Sequence, residues 1–169
     1  MLGAGNSASF AWQDRGDRST AAPILQVKNL RLATRIADVS FDIRPGEIVG
    51  LAGLMESGRT EIAETIFGRS TPVSGEVIFD GKPGAGQADA IARGIALVPE
   101  DRRKMGLVLD HSVRDNILLP NLARFTRHFF VRDAEALTTV NRTIRDLSIK
   151  TDGPDKLARL LSGGNQQKI

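Results

Sequence analysis

The chain has no cysteine and no tyrosine, a single tryptophan, and an aromatic content of 5%. Without cysteine it can form neither a disulfide nor a thiolate metal site, which fits a reducing compartment. No apolar run approaches the roughly eighteen residues of a membrane span. Charge of one sign is also missing. The formal net charge is +3 despite a pI of 9.7, so composition does not call for a nucleic-acid partner. His111 and His128 have no companion at metal or catalytic-triad spacing, and both read as structural.

What remains suits a globular chain, since 169 residues at 41% hydrophobic content make room for one domain. Residues 1–23 stand apart as a flexible lead-in or linker. Met1 to Ala22 is rich in Gly, Ser, Ala and Asp and lacks the basic-then-apolar pattern of a signal peptide. Phe10 and Trp12 are expected to lie exposed on it.

Hydrophobic patterning predicts the elements that follow. Ile24 to Leu32 and Ile36 to Ile43 alternate as two strands, joined through a polar stretch near Thr34. Ile48 to Ala52, after the turn Arg44-Pro45-Gly46-Glu47, reads as a buried strand. A helix follows from Thr60 to Phe67, closed by Gly68. Val73 to Gly81 reads as a strand between turns, Ala88 to Arg93 as a short helix, and Ile95 to Val98 as a second buried strand. The charge run Pro99-Glu100-Asp101-Arg102-Arg103-Lys104 reads as a solvated loop. Ser112-Val113-Arg114-Asp115 has the form of a capping box with Asp in place of Glu. Arg132 to Leu147 is amphipathic, with Ala136, Leu137, Val140, Ile144 and Leu147 on one face.

Two stretches carry chemistry. Gly53-Leu54-Met55-Glu56-Ser57-Gly58-Arg59-Thr60 matches the P-loop template G-x-x-x-x-G-K-[ST] at every fixed position except the lysine. A strand before it and a helix after it would aim loop N–H groups at a β-phosphate, with the Thr60 hydroxyl available to Mg²⁺. An ordinary strand-to-helix turn is the plain alternative. The second stretch is Leu161-Ser162-Gly163-Gly164-Asn165-Gln166-Gln167-Lys168. Ser-Gly-Gly opening a helix leaves N–H groups unobstructed and, with the helix dipole, suits a phosphate. Here too a plain N-cap and turn would look the same.

Taken together these residues resemble an ATP-binding cassette of an ABC transporter. The likeness is narrowest to the second cassette of the two-cassette ATPase subunits of bacterial carbohydrate importers of the ribose, galactose and xylose type. It rests on Ala37-Asp38-Val39-Ser40-Phe41-Asp42-Ile43, on Gly58-Arg59-Thr60-Glu61, on Val98-Pro99-Glu100-Asp101-Arg102-Arg103 and on the terminal Leu-Ser-Gly-Gly-Asn-Gln-Gln-Lys. It covers about Ile24 to Ile169.

The resemblance implies an α/β fold: an incomplete P-loop cassette, with an antiparallel β layer and a helical subdomain over about 106–169. It implies ATP and Mg²⁺ as cofactors. Gly53, Glu56, Ser57, Gly58, Arg59, Thr60 and Glu61 would face one nucleotide. Ser162, Gly163, Gly164 and Gln166 would face another, because in the family each site pairs one cassette's P-loop with its partner's signature motif. Glu100 would stand near Mg²⁺ and the attacking water as the catalytic and coupling residue, sharing the metal with Thr60. Expected partners are a second cassette, membrane permease subunits and, indirectly, a periplasmic sugar-binding protein, with no nucleic acid. The expected location is the cytoplasmic inner face of the membrane.

Three departures weaken the P-loop. Arg59 replaces the lysine, and a planar guanidinium is no simple substitute for a compact ammonium. Glu56 stands where cassettes commonly carry glycine, adding negative charge and restricting the backbone. The base-stacking aromatic is absent from Arg31 to Asp38. The chain also stops at Ile169, before the family's second acidic strand and switch histidine, so alone it is expected not to hydrolyse ATP. The competing expectation is a non-catalytic module that completes a partner cassette's site through its signature motif.

Overall fold

The computed structural model describes residues 20–33, 36, 38–127 and 130–169. They fall into two compact units that divide after Leu97. The lead-in with Phe10 and Trp12, the stretch near Thr34, and His128 lie outside the described residues.

In the first unit, strands β1 (Leu25–Arg31), β2 (Val39–Ile43), β3 (Ser74–Phe79) and β4 (Lys82–Pro83) form an antiparallel sheet in the order β2-β1-β3-β4. The alternation in β1 is broken in the middle, where Asn29 has φ 47° and the register with both neighbours shifts. Such a bulge inserts one residue and re-aims those that follow. As a result Val27 and Leu30, three positions apart, are both fully buried. Ser40 Oγ accepts the Asn29 N–H at 2.8 Å and so satisfies the backbone group that the ladder leaves out. Gly75 (φ 87°) lies opposite, where a Cβ would overlap the Asn29 carbonyl.

Helix α1 (Arg59–Ile66) covers this sheet, with Ile62 in the cluster of Val27, Leu30 and Leu32 and Ile66 packed at its border. Helix α2 (Gln87–Ala92) is tied to the β3–β4 hairpin through the residue that follows it, Arg93. The Arg93 guanidinium donates to Asp89 Oδ1 at 2.8 Å and to the Phe79 carbonyl at 3.0 Å, and lies 5.8 Å from the centre of the Phe79 ring.

The two runs read as buried strands, Ile48–Ala52 and Ile95–Val98, are not strands in the structure. Neither has a ladder partner among the described residues, and Ile48 is 92% and Val98 90% exposed. An apolar run becomes a parallel strand only when neighbouring strands take its N–H and C=O groups, and β-propensity does not supply them.

The second unit is mainly helical. A π-type turn (Arg102–Gly106) leads to α3 (Val113–Leu118), a 3₁₀ turn (Leu119–Asn121), α4 (Leu122–Phe125), a two-residue hairpin of β5 (Thr126–Arg127) and β6 (Phe130–Val131), and α5 (Asp133–Asp146). A 3₁₀ turn (Ala158–Leu160) and the short α6 (Gly163–Gln166) complete it. The capping box at α3 is present: Ser112 Oγ accepts the Asp115 N–H at 3.0 Å, and the Asp115 carboxylate takes the Ser112 N–H at 3.3 Å. Helix α5 buries Ala136 and Val140 against Leu118 and Phe125, with Ile144 packed alongside. Leu137 and Leu147, placed on the same face by spacing, are exposed. Val113, Ile149 and Leu161 form a second cluster, and Ile117 and Ile144 border both.

Leu30→Ala, which empties a fully enclosed position under the bulge, is expected to cost about 2–5 kcal/mol in chemical denaturation. The hydrogen bond from Arg93, then the Ala85 N–H, holds the Asp89 carboxyl below the ordinary carboxylate range. A depressed folded value means the Asp89 contribution is complete above the ordinary carboxylate pKa and fades as pH falls through the lowered one. Asp89→Asn should therefore lower the melting temperature at pH 7, with the gap to the parent chain closing as the titration moves into acid.

Candidate functional site

The first unit brings Gly53, Glu56, Ser57, Gly58, Arg59, Thr60 and Glu61 together in one loop and the opening turn of α1. The second holds Glu100, Ser162, Gly163, Gly164 and Gln166. Each is described within its own unit.

The loop closes tightly on itself. The Ser57 N–H donates to the Leu54 carbonyl at 3.2 Å, and Ser57 Oγ occupies the space a Cβ on Gly53 would need. Gly58, the N-cap of α1, has φ 88°, and a Cβ there would overlap Ile36 Cδ1. It offers no capping side chain to α1, and a helix supplies no acceptor of its own for its first-turn N–H groups. At both glycines a Cβ would collide with atoms already in place, so the chain makes this close turn only with glycine at the two ends of the loop. The stem of Arg59 runs back over it, with Cδ 3.6 Å from where a Gly53 Cβ would stand. Thr60 is exposed at the second position of α1, and Glu61 is half-buried.

Glu56 has φ 64°, in the left-handed region that glycine adopts freely and a carboxylate residue does not.

In the second unit, Ser162 is the N-cap of α6 with extended dihedrals, but its hydroxyl takes no backbone N–H of that helix. It accepts instead from Asn165 Nδ2 at 3.1 Å, while Asn165 Oδ1 accepts the Lys150 N–H at 3.0 Å. Asn165 therefore anchors the turn from outside, a role that reading it as one letter of a motif does not disclose. The N–H groups of Gly163 and Gly164 fall in the first turn, where a helix supplies no acceptor. A Cβ on Gly164 would meet nothing within 4 Å, whereas one on Gly163 would lie 2.8 Å from Arg102 Nη2.

Gln166 is 5% exposed and turned inward. Its Nε2 donates to the Ala158 carbonyl at 3.0 Å, and its Oε1 accepts from Arg102 Nε at 3.4 Å. With both ends of the amide occupied inside the unit, its side chain shapes the turn.

Glu100 is exposed in the bend before the π-type turn. The charge run after it is more ordered than a solvated loop. Asp101 caps the turn by accepting the N–H groups of Arg103 and Lys104 at 3.0 and 3.2 Å, and Arg102 reaches the signature turn. Runs of alternating charge hide such a cap, because Asp two and three residues before an N–H is a local signal without periodicity. Sequence reading also passed over Asn116. Buried, it donates from Nδ2 to the Val108 and Ser112 carbonyls at 3.0 and 2.9 Å and accepts the Val108 N–H at 2.8 Å. Among the described residues no group of three or more His, Cys, Asp or Glu side chains could hold a metal by itself.

Residues 36–169 match the family model described as ABC transporter. Over 147 residues the chain is 45% identical to a ribose import ATP-binding protein (RbsA) of Halalkalibacterium halodurans, covering 86% of this chain and 30% of the relative. A ribose/galactose/methyl galactoside import ATP-binding protein of Rhizobium etli, itself described as putative, is 46% identical over 148 residues, covering 86% of this chain and 28% of that one. The chain therefore spans about a third or less of the length of these curated relatives. Among solved structures, cbiO1 of Clostridium perfringens, part of the ABC transporter complex cbiONQ, superposes with a TM-score of 0.65 at 19% identity, covering 86% of this chain and 58% of that one. A bacterial Atm1-family ABC exporter with ATP bound superposes at 0.64 with 20% identity, covering 86% and 26%. These two share the fold.

Glu56→Gly should relieve the left-handed strain and raise the unfolding free energy by about 1 kcal/mol, measured by urea denaturation. Glu56→Ala, which keeps the Cβ, should recover little of that gain.

Proposed function

The chain belongs to the ABC transporter family, and from that premise we propose that it forms part of the ATP-binding component of a carbohydrate importer, coupling ATP use to sugar uptake. The observation that carries the reading is the Gly53–Thr60 loop. A loop bounded by two glycines, each packed too closely for a Cβ, turns directly into the start of a helix, an arrangement whose backbone N–H groups can cradle phosphate oxygens. The relatives' names, ribose import and ribose/galactose/methyl galactoside import, support sugar as the cargo class.

In this reading Gly53, Ser57 and Gly58 shape the cradle, and Arg59 supplies positive charge and forked contacts to phosphate in place of an ammonium. Thr60 offers its hydroxyl to Mg²⁺. That ion ordinarily keeps substrate phosphates and waters as most of its ligands, so a cage of protein carboxylates is not required. Glu61 and Glu56 place negative charge beside the cradle and moderate its affinity. Glu100 is the candidate to approach the metal and the attacking water when a nucleotide is held. The Ser162-Gly163-Gly164 turn would present its first-turn N–H groups to the nucleotide of a second cassette, with Gln166 shaping that turn from behind. The chemistry asks for positioning and charge more than covalent participation, which is what these residues can supply.

Partners in this reading are a second cassette and membrane permease subunits, with a periplasmic sugar-binding protein acting through the permease. Among the described residues no helix is long and apolar enough to cross a membrane, so attachment at the cytoplasmic face would come through the permease.

A second reading is favoured by Glu56, whose strained backbone and negative charge oppose triphosphate at this loop. There the loop is structural, and only the signature turn serves an ATP site, that of the partner cassette. A fluorescent Mg-ATP titration of the chain separates the two. Saturable binding that Arg59→Ala weakens at least about tenfold, roughly 1.4 kcal/mol, is the expected result. Chelating Mg²⁺ should weaken it further. Folded chain that shows no saturable binding would instead leave the signature turn as the working part.

A further inference from the structure

We infer that Arg102 is a positioning residue for the signature turn, and that Gly163, by having no Cβ, leaves the Arg102 guanidinium the place from which it reaches that turn. As a role in the ATP reaction this rests on the function proposed above; as a statement about the turn it does not.

Both ends of Arg102 are fixed. At the backbone end its carbonyl accepts the Leu107 N–H at 2.8 Å, closing the π-type turn that Asp101 caps. A Cβ on Gly106 would stand 3.2 Å from Pro99 Cγ and 3.4 Å from Arg102 Cβ, so the turn is closely packed at the base of Arg102. At the other end Nε donates to Gln166 Oε1 at 3.4 Å, while Nη2 lies 2.8 Å and Cζ 3.8 Å from the position of a Gly163 Cβ. The guanidinium thus bonds the last residue of α6 and occupies the place of a side chain on the first. Among the described residues Arg102 has no carboxylate partner, so its side chain is directed by this turn and by no competing ion pair.

Gln166 passes the constraint on. Its Nε2 holds the carbonyl of Ala158, a fully buried residue whose N–H donates to the His111 carbonyl at 2.9 Å. The turn is therefore held between Arg102 on one side and the Ala158 backbone on the other. Because Arg102 follows Glu100 by two residues, movement of that loop and of the turn are mechanically joined through one side chain. A lysine cannot do this, since one ammonium on a flexible stem lacks the fork that meets Gln166 and Gly163 at once.

The test is amide hydrogen exchange of residues 165–168, whose N–H groups are hydrogen-bonded within the turn, in the full chain, with the amides of α5 as the folding control. Arg102→Ala should speed exchange of the turn about fivefold or more while α5 keeps its protection. Arg102→Lys should behave like Arg102→Ala. Gly163→Ala should speed exchange in the parent chain and add nothing in an Arg102→Ala background, because the clashing group is gone. Unchanged exchange in Arg102→Ala, full protection in Arg102→Lys, or additive effects in the double variant would each overturn the inference. If Arg102→Ala disturbs α5 as well, Arg102→Gln and the Gly163 cycle in that background decide it by the same criterion. The second arm is ATP turnover by the chain assembled with its membrane partners. A fall in kcat with KM for ATP little changed supports the role in the reaction. Unchanged turnover beside accelerated exchange leaves Arg102 as the clamp and removes the turn from the ATP site.

Discussion

The burial of Ile62 of α1 against Val27 and Leu30 is the contact on which the rest of the first unit depends. A helix of eight residues has little stability of its own in water, so α1 exists because its apolar face is covered. The glycine-bounded loop is the residue-by-residue continuation of that helix, and it is only as well placed as the helix is. The covering surface in turn exists because β1 is bulged. Unbroken alternation would send Val27 and Leu30 to opposite faces, and one of them could not meet Ile62. Asn29 with its positive φ, Ser40 beneath it and Gly75 opposite it are thus as much a part of the loop's geometry as Gly53 or Gly58.

The second unit reaches order by a different route. Beside two hydrophobic clusters that meet at Ile117 and Ile144, its connections are fixed by buried or half-buried polar side chains whose donors and acceptors are matched. Asn116 gathers the backbone between Val108 and Ser112, Gln166 holds Ala158, and Asp101 closes the turn that carries Arg102. Matched buried polar groups are directional where apolar contacts are not, so such a network specifies one arrangement of loops. That suits a unit whose proposed work is to present one turn at a defined angle.

Much of this was legible in the sequence, for identifiable reasons. The antiparallel strands, α1, the capping box at α3 and the face of α5 carried by Ala136 and Val140 all announce themselves through local periodicity or capping, and the structure has them. The glycine-bounded loop and the Ser-Gly-Gly turn were legible as motifs because their spacing is fixed by backbone demands. What misled was apolar character taken as sufficient for a strand. Ile48–Ala52 and Ile95–Val98 are as hydrophobic as buried strands, yet a strand is defined by its neighbours. Leu137 and Leu147 show the same limit on a helix, where the partner surface determines how wide the buried stripe is. The polar anchors Asn116, Asn165 and Arg102 were not legible at all, since their partners are set by tertiary placement or by non-periodic turns.

The π-type turn carries a consequence for how this stretch can vary in length. Its hydrogen bond closes over five residues, from Leu107 back to Arg102, so the turn counts residues where most loops do not. Removing one residue from Arg102–Gly106 would convert it to an α-helical turn and swing the side chains before it by about 100°. The guanidinium would then point away from Gly163. An exposed loop ordinarily tolerates insertions and deletions, but this one sets the direction of a side chain, and its chain length is constrained as tightly as the identity of any residue within it.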